Sequence, residues 1–280
     1  MKRPRGRSRA VKPSTSRRRA ARPRRVRPRR RVLGALRALP LLLRVLAGAF
    51  GVLIVWASVN LVYQVTRKPT ELFFPVSGVL TKSPPETWRT YGPLFTRHAT
   101  ATIPPELLAA LAQAESSGDP VARPPWRWQF TSHPLEWYRP TSSAVGMYQI
   151  TDGTFREAQR YCIHDHVVVE DGPWHNVHAC WFNRFYTRIV PTHAVELTAA
   201  WLDRSVARAL TGSQRVAFTL QQQQDLAAVI HLCGASAGAA YAAHGFRLTD
   251  GQQCGEHNVP AYLARVNLLK RQFVRLAVAG

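Results

Sequence analysis

Hydrophobic and polar positions divide the chain into parts with different patterns. Residues 45–65 form a run of 21 residues without a formal charge. As a helix this run is about 31 Å long, which matches the apolar core of a bilayer and predicts one transmembrane helix. Residues 66–102 are rich in proline, show no sustained period and are predicted to be a periplasmic linker. Residues 103–280 carry helical periodicity and are long enough for one domain, so we expect a mainly α protein with a helical domain behind a single N-terminal membrane span.

The periodicity of the domain predicts a series of helices. They cover residues 104–117, 152–162, 177–190, 194–210, 214–232, 235–244 and 260–276. The last one has apolar positions at steps of four and three residues, which predicts a buried stripe along one face. The residues of this stripe are Tyr262, Val266, Leu269, Phe273 and Leu276.

The first helix of the domain carries a carboxyl group on an apolar face. Leu108, Leu111 and Glu115 are spaced to share one face, and Gly118 suits the end of the helix. Burial among leucines favours the protonated form of a carboxyl group, which can then act as a general acid. Glu115 is therefore the candidate catalytic residue. The alternative is that Glu115 lies in water at a frayed helix end.

Two motifs in this order carry a resemblance to a known family. Glu115-Ser116-Ser117 and, downstream, Gly146-Met147-Tyr148-Gln149 resemble the Glu-Ser and Gly-Leu-Met-Gln motifs of family 1 lytic transglycosylases. This is the soluble lytic transglycosylase (SLT) domain of the lysozyme-like superfamily, and the resemblance covers about residues 103–245. It implies a lysozyme-like helical domain that works on peptidoglycan without a cofactor.

The resemblance also implies roles for these residues. Glu115 would protonate the glycosidic oxygen between N-acetylmuramic acid and N-acetylglucosamine. It would then act as a base while the C6 hydroxyl closes a 1,6-anhydro ring. Ser116 or Ser117 would steady Glu115, and the substrate-binding residues of the second motif, Gly146, Met147, Tyr148 and Gln149, would line the sugar cleft.

The chain departs from the family pattern in two places. Glu115 and Gly146 are 31 positions apart, which is longer than the family's usual spacing, and the additional segment is aromatic. Its aromatic residues are Trp126, Trp128, Phe130, Trp137 and Tyr138. They either stack on sugar rings or form a loop with its own small core. The family's Ala-Tyr-Asn-Ala-Gly motif corresponds to residues 230–234, where His231 replaces tyrosine and is either a sugar contact or a core histidine.

Charge is concentrated before the apolar run. Nearly half of the 38 lysines and arginines lie in residues 1–44, which contain no acidic residue. The positive-inside rule therefore predicts a cytoplasmic basic tail, with the domain on the periplasmic side of a bacterial inner membrane. Anionic lipid headgroups are the expected partner of this tail, and nucleic acid is the alternative. A cleaved signal peptide is disfavoured because the basic region is long and no small-x-small cleavage site follows the run.

All four cysteines lie beyond the apolar run, which in an oxidising compartment predicts two disulfides. Of the three possible pairings, the short loops Cys162–Cys180 and Cys233–Cys254 are preferred. The competing interpretation is a zinc site built from the histidines around the first pair, which are His164, His166, His175 and His178. No pair of Cys-x-x-Cys motifs supports such a site, so no metal is predicted.

Together these features predict a membrane-anchored lytic transglycosylase that acts on peptidoglycan glycan strands. A hydrolytic muramidase is one alternative, and it would need Asp119 or Asp152 as a second carboxylate. A catalytically inactive glycan-binding assembly module is the other. By analogy alone, membrane tethering suggests that the enzyme serves a secretion, conjugation or pilus machine.

Overall fold

The computed structural model describes residues 40–73, 76–173, 175–176, 179–211, 218–249 and 251–279. By internal contacts the chain divides into two units, Met1–Ala57 and Ser58–Gly280. The described part is mostly helical, so the predicted fold class is confirmed.

Helices dominate the order of elements in the described ranges. The α-helices are α1 (Leu41–Arg67), α2 (Pro84–Arg97), α3 (Pro105–Ser116), α4 (Asp152–Ala158), α5 (Pro191–Leu210), α6 (Leu220–Cys233), α7 (Ala235–Ala243) and α8 (Val259–Ala279). Short 3-10 helices occupy Pro69–Phe73, Pro134–Glu136 and Cys180–Phe185. Antiparallel hairpins pair β1 (Trp126–Trp128) with β2 (Tyr138–Pro140), β3 (Tyr161–His164) with β4 (Val167–Glu170), and β5 (Gln253–Cys254) with β6 (His257–Asn258).

Helix α1 contains the predicted span and begins four residues before it, at Leu41. Among the described residues it is the one helix that is long and apolar enough to cross a membrane or to act as a signal segment. Its apolar side chains are exposed along most of its length. Most of the predicted basic tail, residues 1–39, lies outside the described residues.

The segment predicted as a linker contains helix α2, and this is a correction. Ser83 and Glu86 form a capping box in which the Glu86 carboxylate accepts from the Ser83 backbone N–H at 2.8 Å. Tyr91 and Phe95 are buried in the core of the domain. Pro93 lies inside this helix, and proline normally interrupts a helix at such a position, so the sequence pattern did not indicate one.

Three of the predicted helices depart most from the structure. The helix predicted over residues 152–162 ends at Ala158, and a run of β-branched residues then forms the β3–β4 hairpin. In place of the helix predicted over residues 177–190, the described residues show only the 3-10 helix Cys180–Phe185, while 177–178 lie outside them. Helix α6 begins at Leu220, after a capping box of Thr219 and Gln222; residues 214–217 are outside the described ranges.

The core is built around α3, which packs against α2 and α8, and around α5, which packs against α6 and α7. The stripe predicted on the last helix is confirmed, since Val266, Leu269 and Phe273 are buried. Both ends of this stripe are only half-buried. The packing of α8 on α3 brings Tyr262, in the first turns of α8, to Glu115 in the last turn of α3.

Both predicted disulfides, Cys162–Cys180 and Cys233–Cys254, are confirmed, each with its Cα atoms 5.4 Å apart. The first joins β3 to the 3-10 helix that follows the second hairpin. The second joins the end of α6 to β5, shortly before α8 begins.

Candidate active site

Glu115 lies at the end of α3, where the chain turns sharply. Ser117 adopts the left-handed conformation (φ 54°), and Gly118 follows with φ 69°. The N–H of Gly118 bonds back to a carbonyl in the last turns of α3 at 3.2 Å, which closes the helix end. A Cβ on Gly118 would lie 2.6 Å from the Thr87 hydroxyl oxygen, so α2 packs directly on this turn. The end of α3 is therefore not frayed, and the Glu115 side chain is 16% exposed.

Two side chains from other helices contact the Glu115 carboxylate. The Tyr262 hydroxyl donates to Glu115 Oε1 at 2.6 Å. Burial, and then the carboxylate, raise the pKa of Tyr262 well above its usual value, so this group keeps its proton. His231 Nε2 lies 3.6 Å from the same oxygen. Burial lowers the pKa of His231 against the opposite effect of Glu115, which favours the neutral ring beside the carboxylate.

The second motif forms a tight turn whose backbone requires glycine at its start. Val145 and Ile150 exchange backbone hydrogen bonds of 3.2 and 3.1 Å on either side of it. Gly146 has φ 81°, and a Cβ there would lie 2.1 Å from the Arg188 carbonyl oxygen. Gln149 is also left-handed, with φ 48°. Backbone strain of this kind is typical of functional sites.

The side chains of this turn do not all face solvent. Met147 and Tyr148 are fully buried, so what they can offer a sugar is their backbone. Ser116 Oγ lies 2.9 Å from the Met147 carbonyl oxygen and thus ties the end of α3 to the turn. The role predicted for Ser116, steadying Glu115, stays a prediction, and this contact holds Ser116 beside the turn. Gln149 Nε2 donates to the Gly146 carbonyl at 3.0 Å, which closes the turn on itself.

His231, from the segment that corresponds to the family's Ala-Tyr-Asn-Ala-Gly motif, contacts the 146–149 turn. Its ring meets the Tyr148 ring edge-on, with 6.4 Å between centroids, and a hydrogen bond with the Tyr148 backbone opposes the fall in the pKa of His231. His231 and Gln149 line one small cavity, together with Trp201. Of the predicted site residues, the structure therefore brings Glu115, Ser116, the 146–149 turn and His231 together, while Ser117 shapes the helix end.

Both candidates for a second carboxylate are engaged in structural contacts. Asp119 is fully buried and accepts from the backbone N–H of Gly78 at 2.7 Å and of Val121 at 2.9 Å. Asp152 forms an ion pair of 2.7 Å with Arg188. Neither carboxylate is hydrogen-bonded to the site described above.

The residues considered for zinc do not form a metal site in the described part of the chain. No group of three or more histidine, cysteine or acidic side chains there is arranged to hold a metal ion. Cys162 and Cys180 are joined to each other, and His166 Nδ1 lies 2.9 Å from the Ala99 carbonyl oxygen. His178 lies outside the described residues.

Tyr262 is the residue of this site that the sequence did not reveal. The apolar stripe predicted on the last helix correctly includes Tyr262, but the stripe pattern predicts no role for its hydroxyl. A phenol that enters a buried stripe needs a hydrogen-bond partner, and this was the available signal. Which partner it finds depends on the packing of α8 on α3.

Comparison with known proteins gives a family match in this region. Residues 93–206 match the sequence model of the family described as Transglycosylase SLT domain. The match confirms the resemblance to lytic transglycosylases of the lysozyme-like superfamily. It contains Glu115 and the 146–149 turn and ends before His231 and Tyr262. No curated protein and no solved structure gives a significant match to the chain.

Proposed function

We propose, on the premise that residues 93–206 form a transglycosylase SLT domain, that this protein is a membrane-anchored lytic transglycosylase of peptidoglycan. The observation that carries the proposal is the setting of Glu115. One partly exposed carboxylate stands at the edge of the core, held on one oxygen by Tyr262 and next to a strained turn.

The proposed reaction uses a single carboxyl group twice. Protonated Glu115 donates its proton to the glycosidic oxygen as the bond from that oxygen to C1 of N-acetylmuramic acid breaks. The N-acetyl carbonyl stabilises the anomeric centre. The C6 hydroxyl oxygen of the same sugar then bonds to C1, and Glu115 takes the hydroxyl proton. The 1,6-anhydro ring closes and no water is consumed.

The contacts of the other acids favour this route over hydrolysis. A hydrolytic glycosidase commonly needs a second carboxylate as nucleophile or as base for water. Asp119 is buried with two backbone donors, and Asp152 is paired with Arg188. Attack by the substrate's own hydroxyl requires neither of them.

The proposal includes the location of the enzyme. Helix α1 would span the bacterial inner membrane once, with the basic residues before it in the cytoplasm and the domain in the periplasm. An enzyme fixed at the membrane can open the wall only locally. We therefore propose further that the enzyme opens the wall for an assembly that crosses it, such as a secretion, conjugation or pilus machine.

Mass spectrometry of the muropeptides released from purified sacculi tests the reaction. We expect products that end in 1,6-anhydro-muramic acid, each lighter by one water than the product of a hydrolase. Reducing muramoyl ends alone would show a muramidase, and Asp119 and Asp152 would then be replaced in turn. No product at all from folded protein would favour an inactive glycan-binding module.

Replacing Tyr262 with phenylalanine should lower kcat about 10- to 100-fold with a smaller change in KM. The hydroxyl at 2.6 Å fixes the direction of the Glu115 carboxylate, and misplacement of a catalytic group by about 1 Å costs up to about 100-fold. The measurement is the rate of release of soluble muropeptides. Tyr241→Phe is the matched control, because Tyr241 is another helical tyrosine of the same core and lies on α7. Equal rates for Tyr262→Phe and the wild type would show that Tyr262 does not position Glu115.

A further inference from the structure

We propose that the aromatic segment between the two family motifs is a second membrane contact, seated in the lipid headgroup layer beside the end of α1. We call it the aromatic hairpin and define it as residues 126–140, which comprise β1, β2 and their connection. The inference rests on the proposed membrane anchoring by α1. It commits the hairpin to a lipid surface, not to a sugar strand.

Side-chain amides of α1 hold the backbone of the hairpin. Asn60 Nδ2 donates to the Tyr138 carbonyl and Gln64 Nε2 to the Leu135 carbonyl, both at 2.9 Å. Asn60 and Gln64 are one turn apart on the same face, and both are buried. An amide in the apolar part of a membrane helix needs a polar partner, and the hairpin supplies it here.

Ion pairs and a hydrogen bond connect the end of α1 to the hairpin. Arg67 pairs with Glu136 of the hairpin at 2.6 Å. The Glu71 side chain is completely buried and lies 3.2 Å from Lys68 Nζ. It also accepts from Trp126 Nε1 at 2.8 Å, at the start of the hairpin. These contacts keep the hairpin at the end of α1, so membrane insertion of α1 determines the depth of the hairpin.

The depth follows from helix geometry. Gln64 and Asn60 lie three and seven residues before the helix end at Arg67, which is roughly 5 and 10 Å along the axis. The headgroup layer of one leaflet is about 5–7 Å thick. With Arg67 at the outer surface, the Leu135 carbonyl that Gln64 holds lies in the headgroup layer, and the Tyr138 carbonyl that Asn60 holds lies in the outermost part of the hydrocarbon.

The exposed side chains of the hairpin suit that layer. Phe130 is 82% exposed and Trp128 55%, and their rings stack with 6.3 Å between centroids. Large exposed aromatics are costly in water but favourable at a membrane interface, where Trp and Tyr are enriched. Arg67 and Arg139, both partly exposed, pair with the single carboxylate of Glu136, which leaves a net positive charge on this part of the hairpin that complements anionic headgroups.

The proposed position of the hairpin at the membrane has a consequence for the active site. Arg127 of the hairpin pairs with Glu256 at 2.7 Å, just before α8 begins. Tyr262, near the start of α8, contacts Glu115. The hairpin thus connects the membrane surface, through α8, to the catalytic carboxylate, and it would hold the cleft close to the bilayer.

The test uses the full chain in vesicles of phosphatidylethanolamine and phosphatidylglycerol. Flotation of the vesicles first shows whether the chain is anchored. All four cysteines are paired, so Phe130→Cys provides one thiol for an environment-sensitive fluorophore. Val278→Cys is the control, because Val278 is 85% exposed and lies at the other end of α8, about 28 Å along its axis from Val259. Near-normal cleavage of sacculi by both labelled variants confirms that they fold.

We expect the label at position 130 to show blue-shifted emission, strong quenching by nitroxide-labelled headgroups and a several-fold smaller quenching constant for aqueous iodide than the label at 278. A chain that floats but gives equal iodide quenching at both positions would overturn the membrane contact of the hairpin, while anchoring by α1 would still hold. Shielding of position 130 by soluble glycan strands, without quenching by lipid, would overturn it in favour of a sugar-stacking surface. A chain that does not float would overturn both the anchor and the seat.

Discussion

Replacing Glu115 with glutamine should lower the rate of cleavage of purified sacculi about 10²- to 10⁴-fold while the fold is kept. Glutamine preserves the shape of the side chain and still offers an oxygen to the Tyr262 hydroxyl, but it has no proton to transfer to the glycosidic oxygen. General acid catalysis typically contributes a factor of this size, which corresponds to about 3–5 kcal/mol of barrier. The measurement is the initial rate of muropeptide release by wild-type and variant protein.

The matched control for this replacement is on the same helix. Glu106 lies in the first turn of α3, at the opposite end from Glu115. Glu106→Gln makes the same chemical change without touching the site and should leave the rate unchanged. Melting temperatures of both variants should stay close to that of the wild type. Cleavage by Glu115→Gln at the wild-type rate would remove Glu115 from the role of acid and with it the proposed mechanism.

Local signals were enough to predict the helix that carries Glu115. Its leucine spacing, its N-terminal proline and the glycine after its end all act within a few residues, and α3 runs from Pro105 to Ser116. The 146–149 motif is recognisable in sequence by its resemblance to the family pattern, and the structure forms it into a turn with Gly146 at positive φ. The pairing of the cysteines followed from the preference for short loops.

Contacts between distant parts of the chain could not be predicted in this way. Tyr262 meets Glu115 across 147 positions, and nothing near either residue specifies that pair. The resemblance places a tyrosine where His231 stands, whereas the structure brings a tyrosine hydroxyl to Glu115 from α8. Likewise, Asn60 and Gln64 are polar residues within a mostly apolar run in sequence, and only the structure shows that they donate to the backbone of the aromatic hairpin.

Helix α2 illustrates a different limit. Prolines at its start and inside it gave the sequence the composition of a linker, although Tyr91 and Phe95 are core residues. A proline in the first turn costs little, because the N–H that it lacks has no partner there in any case. The same residue type thus begins a helix in one place and suggests a loop in another, and tertiary packing decides between them.

Reduction of both disulfides should lower the melting temperature by roughly 10–20 °C. The loops of Cys162–Cys180 and Cys233–Cys254 span 18 and 21 residues. Closing a loop of that length stabilises a fold by about 3 kcal/mol in the chain-entropy treatment. For a domain of this size, each kcal/mol corresponds to about 2–4 °C. Thermal unfolding with and without a reducing agent, followed by near-UV circular dichroism in detergent, measures the shift. A melting temperature that does not move on full reduction would contradict the expected stabilisation.

The two disulfides should differ in their effect on activity. Cys233 lies two residues after His231, and Cys254 lies eight residues before Tyr262, so this disulfide ties together the segments that bring both side chains to Glu115. Replacing this pair with serines should lower the cleavage rate about tenfold at a temperature where the domain is folded, because the group that orients the acid is less well fixed. Replacing Cys162 and Cys180, whose disulfide contacts neither His231 nor Tyr262, should lower the melting temperature by a similar amount and leave the rate near normal. Equal losses of activity in the two variants would mean that the disulfides act only on global stability, and that the approach of α8 to Glu115 is maintained by packing alone.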